Sequence, residues 1–194
     1  FKMSFLEGSA RVPLMISAPQ MPAGRIDMPV STLDVLPTLA QLAGLDLGEI
    51  LPWTDGESLV DIAAGNRSRS PVPMEYAAEG SIAPMICLRQ GSYKLILCEA
   101  DEPQLFDLET DTDELNNLAG DPAHQKVLDA MTQTALERWD LKRFDAEVRA
   151  SQARRHVTYE ALRNGAYYPW DHQPLQRASE RYMRNHMDLN VLEE

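Results

Sequence analysis

Lys2 heads the run Lys2-Met3-Ser4-Phe5-Leu6-Glu7-Gly8-Ser9-Ala10-Arg11-Val12-Pro13. An ammonium at the rim of a site can stabilise negative charge that develops on an oxygen in a transition state. Two carboxylates, Glu75 and Glu79, stand where the apolar run Val72–Tyr76 meets a loop, and Asp188 lies near the C-terminus. Carboxylates can attract a cationic ligand, although a carboxylate on a loop or tail is most often simply solvated. Asp107, Glu109, Asp111 and Asp113 alternate along a further stretch. That spacing suggests calcium, but the stretch lacks the glycine and the terminal glutamate of an EF-hand loop. Its short polar side chains are read instead as shaping a turn and capping the helix that follows.

Composition narrows the partners. The chain has 194 residues, 44% apolar and 25% charged, with a formal net charge of -12. Those proportions are globular, and this acidity is repelled by a nucleic-acid backbone. No apolar run is long enough to cross a membrane, and no signal peptide is recognisable, so the cytoplasm is favoured. The two cysteines, Cys87 and Cys98, have neither disulfide-framework nor zinc spacing and are read as buried, reduced thiols.

The elements that must position these groups follow from periodicity. Val12–Ala18 is a short apolar run closed by Pro19 and predicts a buried strand. Residues 30–44 predict a helix capped by Ser31 or Thr32, with Asp34 at its positive end, Leu36, Leu39, Ala40 and Ala43 on one face, and Gly44 as its left-handed stop. Trp53–Gly65 predicts a loop and a short helix turning at Asp55-Gly56-Glu57-Ser58-Leu59. Val72–Tyr76, Pro84–Arg89, Ser92–Leu97 and Gln104–Leu108 predict an antiparallel sheet with a hairpin at Gln90-Gly91. From Ala123 the period turns helical, with Leu128, Met131, Ala135 and Trp139 on one stripe and then Leu141, Phe144 and Val148. The last stretch, 159–194, carries Arg177, Arg181 and Arg184 on one side of a polar helical segment and reads as an arm that clasps another subunit.

Four of these stretches occur in an order that resembles the sulfatase family of the alkaline-phosphatase-like superfamily. They are Lys2–Pro13, the helix with Asp34-Val35-Leu36-Pro37-Thr38-Leu39, the turn Asp55–Leu59, and Gln104–Ala119. Met74–Met85, Trp170-Asp171-His172-Gln173-Pro174 and Tyr182–Leu189 are similar to the choline-sulfatase branch in particular, so the resemblance covers nearly the whole chain. It implies an α/β fold: the C-terminal part of a sulfatase, with a small antiparallel sheet packed by a long helix and an extended tail. The expected divisions are 1–66 as the end of the large domain, 67–158 as the small subdomain, and 159–194 as an oligomerisation arm.

The resemblance also implies the chemistry. The activity would be hydrolysis of choline O-sulfate to choline and sulfate, in a homo-oligomer joined through the tail. Lys2 would contact a sulfate oxygen as a catalytic group. Glu75 and Asp188 would bind the trimethylammonium, Asp188 reaching a neighbouring subunit's site. Tyr76 and Trp170 are read as packing residues. Sulfatases use a formylglycine made from Cys/Ser-x-Pro-x-Arg and a calcium or magnesium ion held by carboxylates. Neither pattern occurs in these 194 residues. The chain is therefore expected to lack nucleophile and metal ligands, both belonging upstream, and to be inactive alone. A phosphonate monoester or phosphodiester hydrolase of the same superfamily is the alternative reading, and a non-catalytic oligomerisation module is a third.

Overall fold

The structure, a computed structural model, describes residues 3–50, 52–68, 71–78 and 80–165. The chain divides into two compact units, Phe1–Val148 and Arg149–Glu194.

The first third is short helices tied together by buried polar side chains. A single turn, α1 (Glu7–Ala10), is followed by irregular chain. Ser31 then closes a capping box: its hydroxyl accepts from the Leu33 N–H, and its own N–H donates to Asp34 Oδ2 at 2.8 Å. That arrangement satisfies backbone donors that a helix start leaves open. A 3-10 turn at Thr32–Asp34 runs into α2 (Val35–Leu42), and Gly44 leaves it at φ 72°. Two further short helices follow, α3 (Leu47–Ile50) and α4 (Leu59–Ala63).

The inward face of α2 is not the expected apolar one. Leu36 and Leu39 are 49% and 56% exposed, whereas Asp34, Pro37, Thr38 and Ala40 are buried. The reason is the loop that crosses this helix. The Glu57 N–H donates to Asp34 Oδ1 at 2.8 Å, the Leu59 N–H donates to Thr38 Oγ1 at 2.9 Å, and Thr38 donates to the Asp34 carbonyl at 2.5 Å. Buried amides require acceptors, so the polar side chains turn inward. Gly56 makes the approach possible, since a Cβ there would lie 2.1 Å from the Leu33 carbonyl oxygen.

The expected strand at Val12–Ala18 is not formed. These residues are irregular, with Val12 57% and Met15 93% exposed. A strand needs a neighbour to pair its backbone groups, and none of the described strands lies beside this run.

Four strands make one antiparallel sheet in sequence order: β1 (Val72–Tyr76), β2 (Met85–Gln90), β3 (Tyr93–Cys98) and β4 (Asp101–Asp107). Gly91, at φ 57°, turns β2 into β3, as the Gln90-Gly91 signal predicts. Side chains alternate between the two faces. One face carries Ile86, Leu88, Leu95, Leu97 and Leu105. Against it lies α5 (Gln125–Arg138), with Met131, Ala135 and the following Trp139 buried, as the predicted stripe requires. Burying a side chain of this size contributes roughly 1.5–3 kcal/mol, so this seam is the main core. Leu141 and Phe144 extend it from the start of α6 (Leu141–Arg163). The residues of α6 from 152 onward are exposed.

Candidate functional site

The second face of the sheet is crossed by residues 3–7. Phe5 is buried against Cys87, Ile96 and Phe106, with Met74, Tyr76 and Met85 around them. Two residues before Phe5, the Met3 sulfur lies 3.2 Å from where a Cβ on Gly80 would sit, in the β1–β2 loop. Two residues after it, Glu7 reaches Lys94 near the start of β3. Residues 3–7 therefore cross this face from the β1–β2 loop to the opposite end of the strands.

Lys94 is completely buried, and its surroundings account for its charge. Its ammonium donates to the Phe5 carbonyl at 2.8 Å, to Glu7 Oε1 at 2.6 Å and to Glu114 Oε1 at 2.7 Å. Glu114 Oε2 in turn accepts the Glu7 N–H at 2.5 Å. A buried ammonium is tolerable only when paired and hydrogen-bonded, and here all three of its protons are used. Glu114 sits at φ 56°, among the described residues the one non-glycine position with positive φ. Its turn is built by neighbours: the Asp111 carboxylate accepts the Leu115 and Asn116 N–H groups, and Asn117 accepts from Leu105 and Ala119.

Glu75 lies on the other face, toward α5. Its register partner is Ile86, and its Oε1 accepts the Trp139 indole N–H at 2.6 Å. The face of that indole is occupied by the Arg138 guanidinium, 5.3 Å from the ring centroid. Arg138 also pairs with Asp55 at 2.9 Å. Asp55, Arg138, Trp139 and Glu75 thus form one connected set between the loop after α3 and the exposed edge strand. Glu75 itself remains exposed.

Of the residues that the sequence nominates, Lys2, Glu79, Trp170 and Asp188 lie outside the described residues, as does the polar helical segment expected to carry Arg177, Arg181 and Arg184. Glu75 and the Phe5 side chain occupy opposite faces of the sheet, yet the loop that follows Glu75 returns to Met3. Tyr76 packs in the Phe5 cluster, in the packing role expected of it. Cys87 and Cys98 are free thiols, and burial pushes the Cys87 thiol up to about 12. Lys94 and Glu114 are not among the residues that the sequence nominates. The signal was present: a lysine inside Tyr93-Lys94-Leu95-Ile96-Leu97, an apolar run buried on both faces, demands an anionic partner.

The described residues do not fit a metal. Among them no three His, Cys, Asp or Glu side chains converge, and the Asp107 and Asp111 carboxylates accept nearby backbone N–H groups. Among the described residues no helix is long and apolar enough to cross a membrane.

Comparison with known proteins places this arrangement. The family model for N-sulphoglucosamine sulphohydrolase, C-terminal, matches residues 2–140, and the model for the choline sulfatase enzyme C terminal matches residues 146–194. Choline-sulfatase of Rhizobium meliloti is 59% identical over the whole chain, which covers 38% of that relative. Arylsulfatase K of Xenopus laevis is 33% identical over 62% of the chain and 24% of its own length. Among solved structures, a 2-O GAG sulfatase superposes with a TM-score of 0.46 at 32% identity, over 55% of this chain and 24% of that one. The chain spans well under half the length of the curated relatives it matches. With a family model covering residues 2–140, the chain belongs to the sulfatases and corresponds to the C-terminal portion of their α/β fold.

Proposed function

We propose that this chain is the C-terminal portion of an enzyme that hydrolyses choline O-sulfate to choline and sulfate. The observation that carries this reading is the extent of the similarity. Identity to the choline-sulfatase runs the full chain, through the stretch matched by the choline sulfatase C-terminal model, whereas the arylsulfatase K match covers 62%. The nucleophile and the calcium or magnesium ion that the family resemblance implies would come from outside these 194 residues, and the isolated chain would be inactive.

Within this reading each nominated residue has a distinct task. Lys2 neutralises charge on a sulfate oxygen as the ester bond breaks. Glu75, held at one oxygen by Trp139, presents a fixed carboxylate toward the trimethylammonium. Asp188 supplies a second carboxylate, from the arm of a neighbouring subunit in a homo-oligomer. Residues 1–66 complete the large domain of the whole protein, 67–158 form the small subdomain, and 159–194 form the arm.

The test is the full-length protein carrying Asp188→Asn, assayed on choline O-sulfate and on an aryl sulfate. A rise in KM confined to choline O-sulfate supports the assignment. Equal losses on both substrates remove the choline-binding role. A full-length protein that prefers a phosphonate monoester or phosphodiester over both sulfates replaces the reading with its superfamily alternative.

A further inference from the structure

We infer that Lys94, with Glu7 and Glu114, is the positioning device for Lys2. This rests on the catalytic reading of Lys2 given above. Three observations on one segment carry it.

The first is that Lys94 grips main chain as well as side chain. Its ammonium bonds the Phe5 carbonyl, and Glu114 bonds the Glu7 N–H, so the backbone of 5–7 is held from both its donor and its acceptor sides. Second, the anchor is out of water: Lys94 is 0% and the Glu114 side chain 3% exposed. Bonds between charged groups in such surroundings are stiff and poorly replaced by solvent. Third, Glu114 holds a left-handed backbone that a non-glycine residue rarely adopts, within a turn built by Asp111 and Asn117. Conformations of this kind persist where surrounding structure over-determines them.

Lys2 is three residues before Phe5, and a chain advances at most about 3.6 Å per residue. A clamp at Phe5 and Glu7 therefore restricts where the Lys2 ammonium can be delivered. Phe5 packing alone fixes a ring on the sheet but leaves the chain free to rotate about it. The cluster supplies the missing orientation. Lys94 touches no substrate in this scheme and acts only through the run it holds.

A double-mutant cycle on the full-length protein decides the matter, with kcat and KM measured on choline O-sulfate and on an aryl sulfate. Lys94→Met is expected to lower kcat on both by on the order of 10- to 100-fold, as a misplaced catalytic group does, with KM unchanged. In a Lys2→Ala background the same substitution is expected to change kcat by less than about twofold, because residues acting as a unit are not additive. Losses that multiply across the cycle overturn the inference and leave the cluster as a stability element alone. Should Lys94→Met fail to fold, Glu7→Gln removes one charge at a position 25% exposed and enters the same cycle; an unchanged kcat there also overturns the inference. A Lys2→Ala protein with full kcat removes the catalytic reading of Lys2 and this inference with it. Activity on the aryl sulfate alone removes only the choline reading, and the cycle is then read on that substrate.

Discussion

The Trp139 indole N–H donates to Glu75 Oε1 at 2.6 Å, joining residues 64 positions apart. Trp139 is buried by its ring against the sheet and α5, and its polar edge meets the exposed edge strand. One side chain thereby couples the core to a carboxylate at the surface. The pairing follows a general habit of buried tryptophan, whose ring packs while its N–H seeks an acceptor.

Trp139→Phe keeps most of the ring and deletes the donor. A hydrogen bond to a charged group is worth about 1.5–3 kcal/mol. The expected result is a loss of that size in chemical denaturation of the full-length protein. If Glu75 faces the trimethylammonium, KM for choline O-sulfate rises several-fold while an aryl sulfate is unaffected. Unchanged KM with lowered stability would confine the bond to folding.

Gly56 is expected to tolerate no side chain. A Cβ there would meet the Leu33 carbonyl oxygen at 2.1 Å and the Leu33 carbonyl carbon at 2.6 Å, both backbone atoms. Gly56→Ala would push the 55–59 loop from α2 and break the bonds to Asp34 and Thr38, at a cost of about 2–4 kcal/mol. Gly24→Ala is the control, because nothing lies within 4 Å of its Cβ position. Denaturant midpoints of the two variants measure the difference.

Cys87 is expected to resist a thiol reagent at pH 8 until the protein unfolds. Its burial raises its pKa from the ordinary 9.0 to about 12, and its accessible surface is nil. The thiol is an acid whose folded pKa is raised. Between about pH 9 and about pH 12 the unfolded chain has lost this proton and the folded chain has kept it. Stability from this group therefore falls as pH climbs through that window and is unaffected below it. Mass spectrometry after alkylation with and without denaturant reads the first point; denaturation at pH 8 and pH 10 with Cys87→Ser as reference reads the second.

Lys2→Ala in the full-length protein is expected to lower kcat by about 10²–10³, the range for removing a donor to developing negative charge. The loss should be equal for choline O-sulfate and an aryl sulfate, because the sulfate group is common to both. A loss confined to KM would reassign Lys2 to ground-state binding.

Much of this protein was legible in its sequence because the signals were local. The hairpin turn at Gly91, the Ser31 cap, the Gly44 stop and the Met131–Ala135–Trp139 stripe each depend on neighbours within a few residues, and all appear where the pattern puts them. The sulfatase motifs were readable for the same reason, as ordered runs.

What only tertiary structure decided is how distant charges and amides are paired. The inward turn of Asp34 and Thr38 depends on a loop more than 20 residues away. Lys94 lies 87 residues from Glu7, and Glu75 lies 64 from Trp139. Burial makes each of these pairings obligatory, because a polar group removed from water must find a partner. The identity of that partner is a property of which segments the fold brings together. The exposed run at Val12–Ala18 shows the converse: apolar composition makes a strand possible, and only an adjacent strand makes it form.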